Sequence, residues 1–458
     1  MLFHSQLFLL AFLPTTLAFY YCFAGHAKTR QWLLIGASLV FYGWWDIRFV
    51  PLLVAQVLTT WFMAGLHFRS CSRWPIWLAI GINLSVLGLF KYLDFLVSIA
   101  EQAVGVALPR AGLILPIGIS FYTFQLVSYL VDVQRGEAPR YELRRLTLFV
   151  VLFPHLIAGP IVRHNEIIPQ FACDPLRPGA AERVSRGLAL LVVGVCAKVF
   201  LADSLARIAD PVFVGAERSV PTLSEALAGL FAFALQIFFD FSAYSDMAIG
   251  LALMMGLQFP LNFNQPYRAT DLRQFWRCWH MTLSRFLRDY VYIPLGGSRG
   301  GSGRYVLAAL GTMGLCGLWH GAGWTFIIWG LVHGAGLVVC RFWRNANLPM
   351  PPLLGWLLTF SFAVVLFGLF RATDLASAYR LGVGLLGGGE VGQLWTSRTF
   401  VPLLVGSALA LIPWTSKELL DRWLVPARLS AAALAAAAFY AVLVVGEGQP
   451  KSFIYFQF

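Results

Sequence analysis

The chain has 458 residues, of which 59% are hydrophobic and only 12% charged, and its mean hydropathy is +0.71. A soluble domain is about a quarter charged, so this composition excludes one and points to an all-α polytopic membrane protein. The net charge of +12 does not mark a nucleic-acid binder, because Lys and Arg stand in short loops between apolar runs, the positive-inside pattern.

In chain order, candidate spans lie near 5–24, 31–47, 49–66, 75–97, 114–133, 146–162, 186–207, 223–256, 304–320, 323–342, 353–370, 396–413 and 430–446. Such runs suit a hydrocarbon core about 30 Å thick, and the count predicts about 11 to 13 membrane helices. The first run has no basic region before it and is followed by Lys28 and Arg30. It is therefore not read as a cleaved signal peptide, and the charges place the N-terminus outside. LPIGIS (115–120) and FPHLIAGPIV (153–162) interrupt apolar runs with Gly and Pro. Broken backbone at membrane depth must be packed in protein or line a cavity, so re-entrant pieces around a central cavity are expected. No 20–50-residue repeat and no separate soluble domain is visible. The seven cysteines (Cys22, Cys71, Cys173, Cys196, Cys278, Cys316 and Cys340) are scattered, without a C-x-x-C, and indicate neither a disulfide framework nor a zinc site.

Polar residues interrupt the second half. IFFDFSAYSDMAIG (237–250) puts Asp240, Ser242, Tyr244, Ser245 and Asp246 in a span, and FPLNFNQPYRATD (259–271) follows with Asn262, Asn264 and Gln265. Buried carboxylates need partners, so these residues either join helices by hydrogen bonds or line a cavity. The stretch DLRQFWRCWHMTLSRFLRDYV (271–291), counted at helical spacing, predicts one amphipathic interfacial helix. Leu272, Phe275, Trp276, Trp279, Leu283, Phe286, Leu287 and Tyr290 share its apolar face. Arg273, Arg277, Ser284 and Arg288 share another, with His280 in the same stripe. The stripe suits anionic lipid headgroups or a phosphate-bearing donor. GGSRGGSGR (296–304) lacks P-loop spacing and reads as a flexible turn.

Three histidines stand in apolar settings: His280, His320 in GLWHGAGW, and His333 in WGLVHGAG. An ionisable residue inside a span is a functional candidate; the plain alternative is a hydrogen bond between helices. Gly317, Gly321 and Gly323 beside His320 open space for either a ligand or a close helix. A histidine is the natural general base at neutral pH, and metal binding lacks supporting spacing. Placing the basic loops 267–304, 341–352 and 414–429 inside makes the spans alternate with 371–395 outside. The last span then carries KSFIYFQF (451–458) to the extracytoplasmic side.

FDFSAYSDMAIGLALMMG, NFNQPYRATDLRQFWRCWHMTLSRFLRDYVYIPLGG and GLWHGAGWTFIIWGLVHG, in this order, resemble the membrane-bound O-acyltransferase superfamily. FLLAFLPTTLAFYY, SLVFYGWWDIRF (38–49) and LFPHLIAGPIVRHNEIIPQF (152–171) are similar to its bacterial polysaccharide O-acetylation branch, which serves alginate and other exopolysaccharides. The resemblance covers essentially the whole chain. Cys278 departs from it, standing where the branch commonly has a second arginine. The resemblance implies many helices around a funnel or tunnel over 1–446, with a tail at 447–458, in the bacterial inner membrane, where the charge pattern puts both termini on the extracytoplasmic side. It implies transfer of an acetyl group from cytoplasmic acetyl-CoA, a substrate rather than a bound cofactor, to an acceptor hydroxyl. His320 is then the base and His280 orients or assists. Arg273, Arg277, Arg288, Trp276, Trp279, Asn264, Asp240 and Trp319 form the implied donor- and substrate-binding set. The implied partner is a periplasmic SGNH-type acetyltransferase. D-alanyl or peptidoglycan acyl transfer, and a transporter or flippase, stay open.

The tail FIYFQF (453–458) matches the branch's F-x-Y-x-x-F pattern, in which Tyr455 is a candidate acyl-carrying hydroxyl. Nine residues beyond Gly446 reach about 30 Å when extended, and the midplane lies about 15 Å below the surface. Tyr455 can therefore fold back towards His320. The plain alternative is an aromatic anchor at the interface.

Overall fold

The computed structural model describes residues 1–389, 396–423, 428–447 and 453–454. Among these, every regular element is helical. Seven helical segments are long and apolar enough to cross a membrane: Ile47–Ser70, Trp74–Val104, Ala180–Ala216, Leu223–Met254, Trp324–Asn345, Pro352–Arg371 and Arg428–Gly446. Two shorter apolar ones are Phe8–Cys22 and Ser397–Ala410. The other expected spans are realised as shorter, broken or less apolar helices, because Gly, Pro and buried polar residues interrupt them.

The chain divides into two compact units. The first takes in Met1–Val192, Ser245–Pro260 and the described residues of 442–452. It holds α1 (Leu13–Cys22), α2 (Ala27–Gly43), α3 (Val50–Ser70), α4 (Trp74–Val104), α5 (Ile119–Arg135), α6 (Leu143–Val151), α7 (Phe153–Leu156), α8 (His164–Ile167) and most of α9 (Ala180–Cys196). A buried polar bridge ties α3 to α4: Gln56 donates from Nε2 to Asn83 Oδ1 at 3.0 Å, and Asn83 donates to Thr60 Oγ1 at 3.1 Å. Hydrogen bonds of this kind hold helices together where the hydrophobic effect gives no preference between protein and lipid.

The expected break at 153–162 is present. α6 ends at Val151, α7 is a single turn, and Ile157, Ala158, Ile161 and Val162 are buried without helix. The Phe153 amide donates to Ser38 Oγ at 3.1 Å, so the interrupted backbone is satisfied by protein. The expected span 114–133 starts later than its hydropathy suggested. Gly118, at φ +74°, precedes α5, and a Cβ there would meet the Leu156 carbonyl at 2.6 Å. Only glycine accepts that conformation and that contact.

The second unit takes in Val193–Tyr244, the described residues of 261–441, and Phe453 with Ile454. It holds α10 (Asp203–Ala216), most of α11 (Leu223–Met254), α12 (Leu272–Cys278), α13 (Met281–Leu287), α14 (Gly301–His320), α15 (Trp324–Asn345), α16 (Pro352–Arg371), α17 (Leu375–Leu385), α18 (Ser397–Ala410), α19 (Ser416–Trp423) and most of α20 (Arg428–Glu447). α14 and α15 form a hairpin packed backbone to backbone. A Cβ on Gly317 would strike the Phe326 carbonyl, and one on Gly330 the Met313 carbonyl. Small residues permit such approach. Of the two readings of the glycines near His320, Gly317 therefore serves close helix packing.

The single amphipathic helix expected over 271–291 is corrected. α12 stops at Cys278, α13 begins at Met281, and a π-helical turn follows over Arg288–Tyr292. Two backbone hydrogen bonds cause the break: the Asn264 amide donates to the Cys278 carbonyl and the Met281 amide to the Asn262 carbonyl, both at 2.9 Å. They pair 262–264 with 278–281 and turn His280 into the left-handed region, at φ +41°.

Candidate active site

His320 closes α14 as its last helical residue, 4% exposed. Its ring centroid lies 4.8 Å from Trp319, 5.3 Å from Trp329 and 5.2 Å from Phe370. Trp329 reaches it from α15 because Gly317 and Gly330 bring the helices together. An imidazole enclosed by aromatic faces is shielded from water, where a base acts on a developing charge with little competition.

His280 is fully buried, and it leaves the arginine stripe in which its sequence spacing put it. The break turns its ring inward, edge-on to Phe241 at 4.6 Å and 6.1 Å from Trp319. A non-glycine residue at positive φ stores strain of a kind that clusters at functional sites. Its Nδ1 lies 3.0 Å from Asn262 Oδ1. The same oxygen accepts from the Thr282 hydroxyl at 2.8 Å and the Thr282 amide at 3.4 Å. A backbone amide can only donate, so that Asn262 atom is oxygen, and Nδ1 of His280 carries the proton. Nε2 is then a lone pair, and it has no hydrogen-bond partner among the described residues.

Six arginines meet around one cavity of about 860 Å³: Arg273, Arg277, Arg285, Arg288, Arg341 and Arg344. This volume falls in the range of small-molecule sites. Arg273 is held below the usual guanidinium range, first by partial desolvation and then by the like charges of Arg277 and Arg344. Such crowding of cations favours a multiply charged anion. Arg341 lies over the Tyr305 ring at 3.9 Å. Arg288 is paired with Asp289, Nε to Oδ1, at 2.6 Å.

Trp276 lines this cavity and also reaches towards the histidines. Its indole N–H donates to His333 Nδ1 at 3.3 Å, and its ring lies 5.9 Å from Trp329. Thr312 and Met313 of α14 line the same cavity. From Thr312 to His320 is eight residues along one helix, about 12 Å.

The remaining candidates are placed elsewhere. Trp279 is 2% exposed and packs on Phe263, Phe275 and Phe367 at 5.0–5.6 Å, outside the cavity lining. Asn264 is exposed, while its neighbour Asn262 meets His280. Trp319 stands between the two histidines, 4.8 Å from His320 and 6.1 Å from His280. Asp240 does not join the arginines. Its Oδ1 takes Lys198 Nζ at 2.7 Å, its Oδ2 accepts from the Ile454 amide at 2.7 Å, and Lys198 also pairs with Asp203 at 2.9 Å. Phe453 lies 4.8 Å from Tyr244 and 5.6 Å from Phe241. Tyr455 lies outside the described residues, one position beyond Ile454.

Several residues of this arrangement were missed as site residues from sequence: Asn262, Lys198, Arg285, Arg341 and Arg344. Arg341 and Arg344 were legible only as inward-facing charges. Lys198, alone in the apolar run LLVVGVCAKVFLAD (190–203), was the available signal for an intramembrane partner of Asp240.

Residues 141–378 match the family described as MBOAT, membrane-bound O-acyltransferase family. The chain is 42% identical over 409 residues to a probable alginate O-acetylase of Azotobacter vinelandii, covering 86% of this chain and 79% of that protein. It is 37% identical over 424 residues to a peptidoglycan O-acetyltransferase of Helicobacter pylori, covering 84% and 80%. A teichoic acid D-alanyltransferase of Streptococcus thermophilus is 28% identical over 240 residues, 50% of this chain and 57% of that protein.

Proposed function

This chain belongs to the membrane-bound O-acyltransferase family, and we propose that it draws acetyl groups from cytoplasmic acetyl-CoA for O-acetylation of an extracytoplasmic polysaccharide. It is a multi-pass membrane protein and an O-acyltransferase; the donor, the direction of transfer and the residue roles are our reading. The observation that carries the reading is the aromatic relay from the arginine cavity to His320. Trp276 lines the cavity, Trp329 lies 5.9 Å from it, and His320 lies 5.3 Å beyond.

In this reading the arginines hold the phosphates of coenzyme A, since guanidinium groups bind phosphate bidentately. The pantetheine arm runs past Trp276 towards His320. His320 takes the proton of an acceptor hydroxyl as its oxygen attacks the thioester carbonyl. The carbon–sulfur bond breaks, coenzyme A leaves as the thiolate, and the acetyl ester forms. His280, with its Nε2 lone pair facing inward, orients the acceptor or assists. Tyr455 supplies the acceptor hydroxyl and carries the acetyl group to the outer side. A phenol needs a base beside it to act as a nucleophile, and the tail is seated one residue before Tyr455. A periplasmic SGNH-type acetyltransferase then collects the acetyl group for the glycan. The bacterial inner membrane, with both termini extracytoplasmic, suits this direction of flow.

The test is reconstituted protein with radiolabelled acetyl-CoA. Thiol release and labelled product are expected, and both are lost in His320→Ala while the circular dichroism stays helical. Retained transfer in that variant removes His320 from the chemistry. Movement of a polymer without thiol release would instead make the protein a transporter.

A further inference from the structure

We infer that Lys198, Asp203 and Asp240 form a clasp that seats the C-terminal tail, which makes Lys198 and Asp240 positioning residues for the Tyr455 hydroxyl. This rests on the reading of Tyr455 as acyl carrier.

Among the described residues, two carboxylates meet one ammonium: Lys198 Nζ lies 2.9 Å from Asp203 and 2.7 Å from Asp240. Asp240 and Lys198 are only 2% and 4% exposed. Joining two helices needs one acid for one base. The second acid adds acceptor capacity in a low-dielectric setting, where it is costly unless donors meet it. The Ile454 amide is such a donor, at 2.7 Å from Asp240 Oδ2, while Lys198 meets Oδ1. A hydrogen bond to one named amide also fixes the register of the tail, which packing of the Phe453 ring alone leaves free to slide. Tyr455 is the next residue in the sequence.

Two local features support a purpose-built seat. Lys198 sits in a π-helical turn, Ala197–Ala202, between α9 and α10, and such turns are frequent at functional sites. Phe453, in turn, is wedged between Tyr244 and Phe241, and Phe241 carries His280 on its edge at 4.6 Å. The seat is thus built beside the histidine pair. A clasp loosened at Asp240 frees the residue that precedes the proposed carrier.

Hydrogen–deuterium exchange of the C-terminal peptide, on full-length protein in lipid nanodiscs, tests this. Asp240→Asn and Lys198→Met are expected to speed exchange of the tail amides at least tenfold. Ile454→Pro removes the donor without touching the helices or the ion pair, and is expected to loosen the tail equally. All three variants are expected to lower kcat for acetyl transfer while KM for acetyl-CoA stays unchanged, a split that general misfolding does not produce. A tail that stays protected in Ile454→Pro overturns the clasp. A tail released in all three with kcat unchanged leaves the clasp standing and overturns Tyr455 as carrier instead.

Discussion

Replacing Gly317 with Ala tests whether the α14–α15 hairpin positions His320. The added methyl would collide with the Phe326 carbonyl, and Gly330 Cα lies at 3.2 Å from the same point. A side-chain end can rotate away from such a clash, but a carbonyl in a helix cannot, so the helices must separate. Overpacking of this kind costs about 1–3 kcal/mol. Separation also draws Trp329 from His320, now 5.3 Å apart, and a misplacement of about 1 Å is worth about a hundredfold in rate. Two glycines on the same helix serve as controls. A Cβ on Gly314 meets only the end of Leu331, at 3.2 Å, and one on Gly303 meets nothing within 4 Å. Gly314→Ala is expected to cost less than Gly317→Ala, and Gly303→Ala to be neutral or slightly stabilising. Thermal unfolding in detergent and kcat for acetyl transfer are the readouts. Equal melting points and rates for Gly317→Ala and Gly303→Ala would refute the packing argument.

Other substitutions test the remaining parts. Asn262→Leu leaves the His280 Nδ1–H without its acceptor, costs about 1–3 kcal/mol, and is expected to lower kcat with KM for acetyl-CoA unchanged; an unchanged kcat counts against His280. Arg273→Ala and Arg277→Ala each remove a charged hydrogen bond of about 1.5–3 kcal/mol. Each is expected to raise KM for acetyl-CoA by about 10- to 100-fold, with weaker salt dependence than the parent; lipid binding alone would leave KM in place. Tyr455→Phe preserves an anchor and removes a hydroxyl, so acetyl transfer to the polymer is expected to stop, and normal polymer acetylation would retire the carrier.

Much of this protein was legible in its sequence because the signals are local. Apolar run length and sparse charge established an all-helical membrane protein, and the Gly/Pro interruption at 153–162 marked the broken segment later found buried. His320 stood out as an ionisable residue in an apolar run flanked by glycines. Arg273, Arg277 and Arg288 stood out by helical spacing, and the structure keeps all three on one cavity.

The tertiary structure decided what spacing could not. Helical counting assumed an unbroken helix through His280, but two backbone hydrogen bonds from 262–264 end α12 there and turn the imidazole inward to Asn262. Arg341 and Arg344 join the cavity only because α15 folds back along α14, which the carbonyl-to-glycine contacts permit. Asp240 was legible as a buried acid, yet its partners are Lys198 and an amide 214 positions away. Hydropathy is a property of neighbours along the chain and fixes which segments are helical and buried. Hydrogen bonds and ion pairs depend on which segments meet, and that is settled only when the helices pack.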